Sequence, residues 1–263
     1  MVGVEWLMSQ VVPVMLVAAR LLGLFVASPL LSSLMIPIPT KALLGFALSL
    51  ALFPIIEQQM MVPASIGVFE LGIMVFAEVL IGYTLGLLAN LPLLAVQIAG
   101  FAMGYQMGLS IARSYNPELE IDGDLISQLL YMMALGVFIA MGGVEVLFIV
   151  LAGTFERVPV GGMGVSMMPL DLLTALLTSA FELGMRIAAP VQASIFLILV
   201  SMGFIMKTMP QINVMSIGFA LKIMIGVAMR ATGLALIDGV MAGEGEDLFN
   251  DVIAWGMTLG GDA

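Results

Sequence analysis

Long apolar runs separated by short polar breaks set the pattern of this chain. The first run extends from about Trp6 to Leu34, with Arg20 inside it. Pro37 and Pro39 follow, and proline there predicts extended backbone rather than regular helix up to Lys41. A second run, Ala42 to Ile56, is short against the roughly 20 residues that cross a bilayer as a helix. The third begins near Ile66, carries Glu70 and Glu78, and meets Asn90 and Pro92. Those two residues predict a break into two half-helices, a kinked pair or a hairpin, with the second half running from Leu93 to Leu109. Further runs cover Leu125 to Leu151, Leu170 to Met206 with Pro190 expected to kink it, and Met215 to Ile237. The pattern is that of about six apolar segments, some overlong and broken.

Inside these runs glycine recurs every fourth residue, at Gly82 and Gly86 and again at Gly100, Gly104 and Gly108. On a helix this spacing makes a stripe without side chains. Such a stripe admits another helix at backbone distance, the small-xxx-small packing of membrane helices, and predicts packing between subunits. The second stripe feeds the longest charged stretch of the chain. Ser110, Arg113, Asn116 and Pro117 are followed by Glu118, Glu120, Asp122 and Asp124. A loop anchored by a close-packed helix can line or block a conduit. The expected organisation is one helical domain over residues 1–263, with a polar loop at 110–124 and an acidic tail at 238–263.

Composition fixes the solvent. Of 263 residues, 62% are hydrophobic and 10% charged, against roughly 25% charged in soluble domains. The surroundings must be lipid or other membrane subunits, so the expected class is an all-α, polytopic membrane-associated protein. The long runs lack the alternation of a membrane β-barrel. The formal charge of −10 gathers toward the C-terminus, where no Lys or Arg follows Arg230; this argues against a nucleic-acid partner and against a polybasic lipid anchor. The opening MVGVEWLMSQ has no basic start, and the first run is expected to be retained rather than cleaved.

Candidate chemistry is sparse. There is no cysteine and no histidine, which removes disulfides, thiolates, imidazole bases and most transition-metal sites. The carboxylates of 118–124 lack the spacing of a calcium loop, and no metal or cofactor is expected. Gly161-Gly162-Met163-Gly164 lacks the Lys-Ser/Thr that grips phosphate. No nucleophile stands near a base, so an enzyme is not expected. The 24 methionines, among them Met103, Met107, Met202, Met206 and Met209, read first as gap-filling side chains and second as a deformable seal. Glu182 and Arg186 stand four apart and can pair along a helix. Glu78, Glu182, Arg186, Lys207 and Lys222 all lie in or beside apolar runs and require partners or water. If the chain worked alone, Glu78, Glu182 and Arg186 would be the coupling residues of an ion-driven transporter.

Several of these residues resemble one family in order along the chain. Arg20, Ser28-Pro29, Ile36-Pro37 and Lys41 resemble the opening of the FliR family of flagellar biosynthetic proteins. Glu78, Gly82 and Gly86 resemble its third segment. Gly100, Gly104 and Gly108-Leu-Ser-Ile-Ala, then Asn116-Pro117, resemble its central motif, where Asp-Pro is commoner. Met209-Pro210-Gln211-Ile212-Asn213-Val214, Gly218-Phe219 and Lys222 resemble its C-terminal signature. The resemblance implies a subunit of the type III export gate in the bacterial inner membrane at the flagellar basal body. FliP and FliQ type subunits would complete the ring, FlhB and FlhA type proteins would be neighbours, and unfolded export substrates would be the cargo. It implies stacked helical hairpins held largely above the membrane plane, and a channel plug at Ser110 to Asp124. It assigns subunit contacts to Glu78, Pro210, Gln211, Asn213 and Lys222. The injectisome counterpart is close in sequence.

Overall fold

The computed structural model describes residues 2–32, 36–56, 67–108, 125–161, 170–209 and 214–228. They form seven helices and no strand: α1 (Val2–Ala27), α2 (Ile38–Ile56), α3 (Val68–Met107), α4 (Leu125–Ala140), α5 (Gly143–Arg157), α6 (Leu170–Thr208) and α7 (Val214–Ala228). The loop at 110–124, the Pro210–Asn213 stretch and the acidic tail lie outside the described residues.

Three expectations about segment boundaries change. First, α3 is one helix of 40 residues that passes through Asn90 and Pro92. Proline inside a helix removes one hydrogen bond and costs about 3 kcal/mol. Here Leu91 and Leu93 are almost wholly buried, as are Ala95 and Val96, and apolar burial on either side of the proline outweighs that loss. Pro190 is likewise contained within α6. Second, α2 starts at Ile38, so Pro39 sits in its first turn, where a missing N–H goes unused. The Pro37 carbonyl accepts from Thr40 N–H at 3.0 Å and Lys41 N–H at 3.2 Å and opens the helix. Third, the run from Leu125 to Leu151 is divided between α4 and α5 at Gly142. That residue has φ 75°, a left-handed conformation natural to glycine, which ends α4. Its N–H reaches the Ile139 carbonyl at 3.0 Å, and its own carbonyl takes the Val146 N–H at 3.1 Å to start α5.

The described residues fall into two compact units. One comprises those up to Asn90 and from Ile139 to Thr174; the other comprises Leu91 to Phe138 and those from Ala175 onward. The core of the first joins Leu16, Val17, Leu21, Leu24 and Phe25 of α1 to Ile81, Leu85 and Leu88 of α3 and to Leu147, Leu151 and Phe155 of α5. These positions recur at three and four residues, one stripe per helix. Phe25 meets Phe148 edge to face, with centroids 6.3 Å apart. The core of the second unit takes Val96, Ala99 and Met103 from α3, Leu130, Ala134 and Phe138 from α4, and Leu183, Ile187, Val191 and Ile195 from α6. Met103, Met107 and Met202 are buried, whereas Met206 and Met209 are exposed.

By length and composition α3 and residues 177–208 of α6 can each cross a membrane, and α4 with α5 makes a third if the broken pair is one span. A 40-residue helix is about 60 Å long, twice the roughly 30 Å hydrocarbon core of a bilayer. Much of α3, and of the 39-residue α6, therefore extends beyond the lipid if either crosses upright.

Candidate functional site

The Glu78, Gly82, Gly86 face of α3 meets α1 backbone to backbone. A Cβ at Gly82 would land on the carbonyl oxygen of Arg20. One at Gly86 would lie 2.7 Å from the Leu24 carbonyl oxygen and 2.9 Å from the Ser28 nitrogen. In return, a Cβ at Gly23 of α1 would land on the Val79 carbonyl oxygen. No side chain but hydrogen fits at these three positions, because the obstacle is main chain and cannot rotate away. Subunit packing was the expectation for Gly82 and Gly86; the structure uses both inside the chain, where α1 is already in place against them.

This close crossing brings two charges of opposite sign together. Arg20 and Glu78 are buried, with side chains 0% and 2% exposed. Arg20 Nε donates to Glu78 Oε2 at 2.6 Å. One terminal nitrogen of the guanidinium donates to Thr154 Oγ1 and the other to the Val158 carbonyl, each at 3.2 Å. Its plane lies over the Phe155 ring, 4.3 Å from the centroid. The second carboxylate oxygen of Glu78 accepts the Gly161 N–H at 2.9 Å. Thr154 donates in turn to the Leu151 carbonyl at 2.6 Å. One buried centre thus ties α1, α3, α5 and the turn at 158–161. An unpartnered charge at a helix centre costs about 2.5–3.5 kcal/mol on insertion scales; here each charge answers the other. Expected at a subunit interface, Glu78 is instead taken up inside the chain, because Arg20 is its nearest counter-charge.

The chemistry open to this centre is narrow. Both oxygens of Glu78 face N–H donors, the arrangement of an ionised, acceptor-only carboxylate, and neither side chain opens to solvent. It holds helices together; it offers a substrate no surface. Glu182 and Arg186 do pair, at 2.8 Å along α6, but both side chains are about 60% exposed, and such a pair stabilises a helix by only a few tenths of a kcal/mol.

In the second unit Gly100 holds the start of α4. A Cβ there would lie 2.5 Å from Ser127 Cα and 3.0 Å from its nitrogen, and the Ser127 hydroxyl donates to the Gln97 carbonyl at 3.1 Å. Gly104 is buried on the same helix. Gly108 takes φ 81° and ends α3, so the third glycine of the stripe is a stop signal. The residues expected to form the plug, Ser110, Arg113, Asn116, Pro117, Glu118, Glu120, Asp122 and Asp124, lie outside the described residues, as do Pro210, Gln211 and Asn213. Lys222 is half-buried on α7, and a Cβ at Gly218 on the same helix would lie 3.3 Å from the end of the Met202 side chain. Sequence reasoning passed over Gly23, Thr154, Phe155 and the main chain of Val158 and Gly161. Thr154 alone left a signal, as a lone hydroxyl in an apolar run.

A family model described as bacterial export proteins, family 1, matches residues 11–248. The flagellar biosynthetic protein FliR of Bacillus subtilis is 30% identical over 231 residues, covering 85% of this chain and 86% of its own length. FliR of Aquifex aeolicus is 26% identical with 88% of each covered, and FliR of Escherichia coli is 27% identical with 83% and 82% covered. Glu78, Gly82, Gly86 and Gly100 all fall within the matched range, and by this match the chain belongs to the FliR family of bacterial export proteins.

Proposed function

We propose that the chain is a non-enzymatic core subunit of the flagellar type III protein export gate, helping to form and close the channel through which unfolded substrates pass. The observation that carries this is the family match over residues 11–248, with relatives named as flagellar along most of their length. Two features of the molecule support it. The charges expected to couple ions in a lone transporter are each taken up by an opposite charge, Glu78 by Arg20 and Glu182 by Arg186. The longest helices exceed a bilayer about twofold, as suits a subunit packed among other proteins beyond the lipid. In this reading FliP and FliQ type subunits surround the chain in a ring. FlhB and FlhA type proteins lie at its cytoplasmic side, and the assembly sits in the bacterial inner membrane at the basal body. The segment from Ser110 to Asp124, between the Gly108 stop and α4, serves as the plug, and Pro210, Gln211, Asn213 and Lys222 face neighbours.

The test is native mass spectrometry of the tagged full-length chain, extracted mildly from its own membrane. A large complex of fixed stoichiometry with FliP-like and FliQ-like chains is expected; a lone monomer or homodimer refutes the gate. For the plug, deleting 110–124 in an assembled gate raises small-ion leak. Unchanged leak from an intact gate refutes that assignment.

A further inference from the structure

Arg20 has no local means of neutralisation. Within α1 the residues one turn away are Leu16, Val17, Gly23 and Leu24, and none bears charge. Glu78 is equally isolated, between Met74, Val75, Ile81 and Gly82 on α3. The partners of Arg20 are 58, 134 and 138 residues further along the chain, so all of them are synthesised after α1. The glycine crossing has the same dependence, since the main chain against Gly23 belongs to Val79 and Tyr83.

We propose that Arg20 is an assembly-timing residue: α1 remains reachable from water until α3 and α5 supply Glu78, Thr154 and the Val158 carbonyl, and the three helices then enter their apolar surroundings as one block. An unpaired arginine disfavours apolar placement of a lone helix by roughly 100-fold, and pairing removes that penalty. The inference rests on the membrane character of the chain and is independent of the export reading, so either can fail alone.

The chain contains no cysteine, which allows a single reporter. Met15, 40% exposed on α1, is replaced by cysteine in the full-length chain, expressed with its natural partners. Chains are pulse-labelled and chased, and at each time lysed cells receive a water-soluble maleimide. Labelling is expected to be high just after synthesis and to fall about tenfold or more as the pair forms, within the roughly 100-fold set by the unpaired charge. With Arg20→Leu, labelling is low from the first time point. With Glu78→Leu the fall is slower and incomplete, and with both substitutions labelling is low again. Early protection of the unsubstituted chain, the same decay with Arg20→Leu, or a cysteine that never becomes protected would each overturn the proposal. If the Glu78→Leu chain is degraded, the comparison of the reporter chain with and without Arg20→Leu decides.

Discussion

Replacing Glu78 by leucine leaves the Arg20 guanidinium buried without its counter-ion. The 2.6 Å contact to Nε disappears, and the Gly161 N–H loses its 2.9 Å acceptor. The neutral contacts to Thr154 and Val158 and the stacking on Phe155 remain. Breaking a buried pair by removing one partner costs about 3–5 kcal/mol. Gly161 is half-buried, so water can replace its acceptor and its orphaned N–H adds only about 1 kcal/mol. The total is about 4–6 kcal/mol. Arg20→Leu strands the carboxylate instead, with one donor left, at about 3–5 kcal/mol. The double variant buries no charge. It orphans the Val158 carbonyl, at about 1–2 kcal/mol, and the Gly161 N–H, at about 1 kcal/mol, and regains part of this through apolar contact. It should therefore be more stable than the Glu78→Leu chain and no worse than the Arg20→Leu chain. At about 2–4 °C per kcal/mol for a chain of this size, Glu78→Leu lowers the thermal midpoint of the purified assembly by roughly 10–20 °C. The double variant recovers at least half of that loss. Single variants within about 2 °C of the parent, or a double variant that sums the two losses, would refute the tie between α1 and α3.

The glycines divide by what a Cβ would meet. Gly82→Ala drives a methyl into the Arg20 carbonyl and is expected to destabilise by about 1–3 kcal/mol or more, with loss of assembled complex on a native gel. Gly72→Ala and Gly153→Ala have nothing within 4 Å and lie inside helices, so they are expected to raise the thermal midpoint by the equivalent of about 0.5–1 kcal/mol. Gly142→Ala forces a left-handed conformation at φ 75° at about 1–2 kcal/mol, visible as a lower midpoint; an unchanged midpoint would mean that the α4–α5 break relaxes. Glu182→Gln removes a pair on the open face of α6 and, where that face meets water, should change stability by no more than about 0.5 kcal/mol, a difference that vanishes in high salt; a larger loss would place the pair against lipid or a neighbouring subunit.

The fold class followed from composition, since a chain with so few charges and such long apolar runs must satisfy its backbone within helices. The isolation of Arg20 and Glu78 and the four-residue recurrence of Gly82, Gly86 and Gly100 were also plain, because helical periodicity is a local property. Which groups meet was not legible. Arg20 and Glu78 stand 58 residues apart, and Val158 and Gly161 contribute main-chain atoms that look alike at every position. Proline and glycine were misjudged for a related reason. Pro92 reads as a break by itself, but burial of Leu91 and Leu93 holds the helix through it. Gly142 reads as one more small residue in a run, but a positive φ makes it a stop. Gly108 ends a helix for the same reason, so a stripe that packs against α4 at Gly100 closes on a terminus. Sequence alone determined that this chain is helical, apolar and in need of partners for its charges. The tertiary structure decided that two of those charges partner each other, because only folding brings α1 and α3 to backbone contact.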